Sequence, residues 1–119
     1  MTPHPWSVQI DDAVTVAREM LAERAIHHLP VLDQRQLVGM VTERDLILAH
    51  NRIAATVEEV MTTAYRVDGE APLEQVLDWM AERGSDAVVV TEPDGKPIGI
   101  FTAMDAIRVL RDLLRRRAA

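Results

Sequence analysis

The chain has 119 residues and a mass of 13.3 kDa, with 48% apolar and 27% charged residues, a balance that excludes a disordered chain and suits one domain or two small repeats. No apolar stretch reaches the roughly 18 residues of a membrane span, the start lacks the basic-then-apolar pattern of a secretory leader, and the absence of cysteine excludes disulfides, thiolate metal sites and cysteine nucleophiles. The net charge of −6 divides into +4 over 108–117 (five Arg, one Asp) and −10 over the remainder, an acidic body ill-suited to a nucleic-acid backbone.

In chain order, Ser7–Ile10 is a short extended piece and Asp12–Ala25 an amphipathic helix. His28–Leu32 and Leu37–Val41 are β-rich runs around the turn 33–36, and Glu43–His50 is a second helix. A linker over Asn51–Met61 carries a helical turn at Val57–Val60. Tyr65–Val67 is extended. Pro72–Arg83 is a helix whose stripe Leu73, Val76, Leu77, Met80 and Ala81 repeats at helical spacing, with Pro72 at its first position and Gly84 as its stop. Ala87–Thr91 and Pro97–Phe101 flank the turn Pro93-Asp94-Gly95, and Ala103–Arg117 closes the chain. Its terminal arginines suit the C-terminal end of a helix dipole better than a nucleic-acid contact.

The order β-α-β-β-α therefore occurs twice, and the residues repeat with it. Gly39-Met40-Val41-Thr42-Glu43-Arg44-Asp45 and Gly99-Ile100-Phe101-Thr102-Ala103-Met104-Asp105 share the pattern Gly, two apolar residues, Thr, two variable residues, Asp, at an offset of 60. Upstream the offset is 59: Ala22-Glu23-Arg24 meets Ala81-Glu82-Arg83, and Val31 meets Val90. The expected organisation is repeat one over 1–50, a linker over 51–60 and repeat two over 61–117, packed as one α/β unit with pseudo-twofold symmetry. One unit of about 50 residues buries too little apolar surface to stand alone, so the two pack together and form equivalent grooves between them.

These paired motifs in matching frames, with His28-Leu29-Pro30-Val31-Leu32-Asp33 before the first and Ala87-Val88-Val89-Val90 before the second, resemble a CBS (cystathionine-β-synthase) domain pair, or Bateman module, over nearly the whole chain. The resemblance implies a regulatory, non-enzymatic module. It would bind an adenosine-containing ligand, most often AMP, ADP or ATP and sometimes S-adenosylmethionine, with no required cofactor, and would control a partner protein or fused domain. It implies cytoplasmic homodimers without nucleic acid or a membrane span. The alternative is a ligand-free dimerisation or interaction module with vestigial grooves. The Met1-Thr2 start, which aligns with Met61-Thr62, also suits a module excised from a longer protein.

On this resemblance the first groove uses Asp45 for ribose hydroxyls, Thr42, Arg44 and His28 for phosphate, Gly39 for close approach, and Thr63, Ala64 and Tyr65 for the base. The second uses Asp105, Thr102, Gly99 and His27, with Pro3–Trp6 beside the base. Ala87 replaces His28 and Ala103-Met104 replace Glu43-Arg44, so the second groove is expected to hold phosphate less well than the first. Thr-x-x-Asp is equally a helix cap of capping-box type, and a capped helix can still present a ligand site. His27 and His28, adjacent on a strand, face opposite ways and do not chelate one metal together. Trp79 is read as a core or dimer contact. No phosphate loop, nucleophile elbow or other catalytic set is present.

Overall fold

The computed structural model describes residues 2–3, 6–49 and 55–118, so His4, Pro5, His50 and the early linker lie outside the described residues. In chain order the elements are β1 (Thr2–Pro3), β2 (Val8–Gln9), α1 (Val14–Arg24), β3 (His28–Asp33), β4 (Gln36–Thr42), α2 (Glu43–Leu48), α3 (Val57–Val60), β5 (Arg66–Asp68), α4 (Leu73–Arg83), β6 (Ala87–Thr91), β7 (Pro97–Thr102) and α5 (Ala103–Ala118). Two sheets result, β2-β3-β4 and β1-β7-β6-β5. Within each copy the leading strand pairs in parallel with the next, and the hairpin behind it is antiparallel.

The pleat gives each sheet two apolar faces. Leu29, Val31 and Val41 in the first sheet meet Val14, Ala17 and Leu21 of α1 and Leu46 of α2. Val88, Val90 and Phe101 in the second meet Val76 and Met80 of α4. Pro30 and Met40, paired across β3 and β4, and Val89 and Ile100, paired across β6 and β7, belong to neither cluster yet are buried. These second faces are therefore buried apart from the two helix-covered cores.

The copies also exchange their leading segments, which pair with the sheet of the other copy. Thr2 of β1 pairs with Ile100 in the sheet of copy two, and Thr62 bridges to Met40 in the sheet of copy one. The two pairings are related by the offset of 60. This exchange accounts for Gly39: a Cβ there would lie 2.5 Å from Met61 Sδ and 3.1 Å from the Thr62 carbonyl oxygen. The helix stops also correspond. Gly84 ends α4 at φ 62, and Ala25, 59 residues earlier, ends α1 at φ 52. Pro72 is the N-cap of α4 rather than its first residue, because its ψ of 139° is still extended.

The last helix departs from the packing of the others. None of α5 is buried, although Ala106 rests against the core of copy two. The α4 residues go the other way. Met80 is buried, and Leu77 and Trp79 are partly buried against the same core.

Candidate nucleotide-binding grooves

Each Thr-x-x-Asp motif forms a complete cap where strand becomes helix. In copy one Thr42 donates from its backbone N (2.8 Å) and its Oγ1 (3.0 Å) to Asp45 Oδ2, and Asp45 N donates back to Thr42 Oγ1 at 3.3 Å. In copy two Thr102 N and Oγ1 reach Asp105 Oδ2 at 2.9 and 3.1 Å, and Asp105 N reaches Thr102 Oγ1 at 3.1 Å. One carboxylate oxygen per copy is thereby consumed by the cap.

Two grooves flank the seam between the sheets. The first, about 380 Å³, is lined by Thr42 and His28 of copy one and by Thr63, Ala64 and Tyr65 leading into copy two. Arg83, Gly84, Ser85, Asp86 and Ala87, from the end of α4 to the start of β6, complete it. The second, about 480 Å³, is lined by Thr102, Asp105, Met104, Arg108 and Ile100 of copy two and by Trp6, Ala25, Ile26, His27 and His28 of copy one. Both volumes fall in the roughly 300–1,000 Å³ range of small-molecule sites. A larger depression of about 650 Å³ runs over Pro72, Glu74, Gln75, Leu77 and Asp78, but one stretch of α4 lines it and nothing converges from another element.

The sequence-derived residues separate on inspection. Thr42, His28, Thr63, Ala64 and Tyr65 come together in the first groove, and Thr102, Asp105, His27 and Trp6 in the second. His28 lines both. Asp45 lies half-buried behind Thr42 with its carboxylate turned into the cap. Gly39 stands under the Met61–Thr62 crossing, and Gly99 opposite Pro3 in β1. Arg44 is exposed and outside the lining of the first groove, because the first turn of α2 carries it away from the seam.

Although Ala103-Met104 replace Glu43-Arg44 in copy two, the second groove is lined by a cation, Arg108. It sits one turn beyond Asp105 on α5, with Nη1 3.5 Å from Asp105 Oδ1. In the first groove the cation comes instead from Arg83 of the opposite copy. The motif match ends at Asp105, so it passes over Arg108, whereas the offset of 60 pairs Arg108 with Leu48 and could have flagged the difference.

The base sides are pseudo-equivalent as well. Trp6 and Tyr65 correspond at the offset of 59, as do Arg24 and Arg83. The Arg24 guanidinium lies 4.0 Å from the Trp6 ring centroid. The Arg83 guanidinium lies 4.4 Å from that of Trp79, which meets Tyr65 edge-on at 5.0 Å. Each aromatic wall is thus held by stacking within its own copy. The histidines are tied to different partners: His27 donates through Nδ1 to Glu43 Oε1 at 2.9 Å, and His28 Nε2 stands 3.9 Å from Asp86 Oδ2.

Comparison with known proteins agrees with this geometry. The family model described as CBS domain matches residues 1–51 and 57–112. Inosine-5'-monophosphate dehydrogenase of Korarchaeum cryptofilum is 34% identical over 100 residues, which are 83% of this chain and 21% of that enzyme. The chain thus spans about a fifth of the length of this relative. Among solved structures, CBSX2 in complex with AMP superposes with a TM-score of 0.83 at 29% identity, covering 95% of this chain and 93% of that one. The CBS domain pair of protein MJ0100, in complex with 5'-methylthioadenosine and S-adenosyl-L-methionine, gives a TM-score of 0.81 at 27% identity, covering 92% and 93%. The motif copies, the two sheets and these matches agree, and the chain belongs to the CBS domain family, which it represents as a tandem pair.

Proposed function

We propose that the chain is a regulatory sensor of adenosine nucleotides, binding AMP, ADP or ATP in the grooves between its repeats and controlling an attached or partner domain. The observation that carries this reading is the split construction of both grooves. The first brings Thr42 of one copy, and the second Thr102 and Asp105, together with an aromatic side chain of the other copy, so a ligand filling a groove touches both copies at once. A ribose has its acceptor in the Oδ1 of Asp45 or Asp105, and an adenine has Tyr65 or Trp6 beside it. A phosphate has Thr42, His28 and Arg83 in the first groove and Thr102, His27 and Arg108 in the second. Similar CBS pairs are described in complex with AMP and with 5'-methylthioadenosine and S-adenosyl-L-methionine, which supports an adenosine-containing ligand.

Calorimetric titration of AMP into the chain and into Asp45→Ala and Asp105→Ala tests the reading. Each aspartate substitution is expected to weaken binding in its own groove by about 1–3 kcal/mol, the scale of a charge-assisted hydrogen bond. An unliganded wild type at millimolar AMP, ADP and ATP would leave the ligand-free interaction module as the function.

A further inference from the structure

Trp79 stands outside the lining of both grooves, yet it touches two residues that line the first. The Arg83 guanidinium lies 4.4 Å from the centroid of its ring, and the Tyr65 ring meets it edge-on at 5.0 Å. Tyr65 lines the base side of that groove, and Arg83 is its cation. The indole is itself partly buried against the core of copy two. Tyr65 and Arg83 are exposed, so burial does not fix them. Copy one is built differently. The residue equivalent to Trp79 at the offset of 59 is Met20, and Arg24 stacks directly on Trp6. Arg24 stands outside the lining of the second groove, so the intervening indole goes with the arginine that reaches a groove.

A guanidinium stacked by its face keeps its in-plane N–H donors, and those are the donors that fork onto a phosphate. A ring that carries this stack and also holds the base-side aromatic sets the spacing between phosphate and base contacts. Holding both in advance lowers the ordering cost for a ligand that needs both. On the adenosine-ligand reading above, we infer that Trp79 is the positioning residue of the first groove. It acts through Arg83 on the ligand's phosphate and through Tyr65 on its base. It therefore raises the affinity for AMP more than for adenosine, which has no phosphate.

Calorimetry with AMP and adenosine in an Asp105→Ala background, chosen to weaken the second groove, tests this. Trp79→Leu keeps apolar bulk against the core and removes the ring. AMP is expected to weaken about fivefold and adenosine about twofold, the scale of a cation–π contact and an edge-on pair. Trp79→Phe retains a ring face and is expected to stay within about twofold of the parent for both. Arg83→Gln is expected to weaken AMP about tenfold and to leave adenosine unchanged. Added to Arg83→Gln, Trp79→Leu is expected to cost AMP only the factor it costs adenosine. Equal factors for the two ligands while Arg83 is present overturn the inference. So does a Trp79→Phe loss as large as that of Trp79→Leu, or a full AMP loss that persists without Arg83. A second measurement serves if Trp79→Leu does not fold. In a Trp6→Phe background Trp79 is the one remaining indole. AMP is expected to change its emission more than adenosine does, and Arg83→Gln to remove that excess; an excess that survives overturns the inference. If the Asp105→Ala parent gives no heat with AMP, the adenosine reading of this groove fails and the inference with it. AMP binding that is indifferent to Trp79→Leu sinks the inference alone.

Discussion

At the scale of single residues, most of the seam is determined by close approaches between copies. Gly39 is glycine because the Met61–Thr62 segment crosses it, and a methyl group there would collide with Met61 Sδ and the Thr62 carbonyl. Gly39→Ala is therefore expected to cost about 1–3 kcal/mol, the range for overpacking a filled site. It should also weaken ligand binding at the first groove, whose wall continues through Thr62 to Tyr65. Urea unfolding with a parallel AMP titration measures both, and unchanged stability would show that the crossing segment yields without loss. The caps were legible from sequence because Thr-x-x-Asp is a local signal with only two residues between its partners. Arg108 was not, because its meaning depends on Asp105 Oδ1 being its neighbour, and a helix carries many arginines for reasons unrelated to any groove. Arg44 shows the converse: its place inside the motif suggested a ligand contact, and the first turn of α2 points it outward.

At the scale of elements, the repeat predicts where each helix and strand lies, and differences between copies show how the same shape is reached with different residues. Gly84 and Ala25 end α4 and α1 in the same left-handed conformation. Nothing lies within 4 Å of a Cβ built on Gly84, so any change in Gly84→Ala is conformational. That variant is expected to lose about 1 kcal/mol, and Ala25→Gly to gain somewhat less, about 0.5 kcal/mol, since glycine also loosens the unfolded chain. Denaturant midpoints of the two variants check the pair, and equal shifts in one direction would refute the shared strain. The same contrast recurs at the hairpins. Gln34 and Arg35 carry φ of 50° and 69° in a two-residue turn, whereas the second copy places Gly95 at 91°. Sequence alone marked the second turn sharply through Pro93-Asp94-Gly95 and the first only weakly, because Gln and Arg do not advertise positive φ. The exchanged β1 was invisible for a different reason. Two residues have no periodicity, and their partner strand lies almost a hundred residues away.

For the whole molecule, α5 decides the shape. The radius of gyration is 15.3 Å, above the roughly 13.5 Å expected of a compact chain of this length, and the extents are 54 × 29 × 25 Å. A 16-residue helix with no buried residue accounts for the elongation. Its outward surface is apolar: Met104, Ile107, Leu110, Leu113 and Leu114 are all at least half exposed, and Ile107, Leu110 and Leu114 line a shallow depression of about 420 Å³. Ile47 and Leu48 of α2, the equivalent helix, are 70% and 76% exposed. The folded core of each copy lies on the sheet side of these helices, so packing among the described residues leaves these side chains exposed. A contiguous patch of this kind is uncommon on a monomer. A twofold homodimer would bury each patch against its counterpart and would join the helices that carry Asp45 and Asp105 to those of a second copy. Association should then respond to ligand, because both caps sit at the first turn of the associating helices. Sedimentation equilibrium at micromolar concentration is expected to give twice the 13.3 kDa chain mass, and Leu110→Glu combined with Leu114→Glu to give the single mass with its melting transition intact. A wild type that sediments as one chain would refute self-association and leave the α5 face to a further domain or a partner protein.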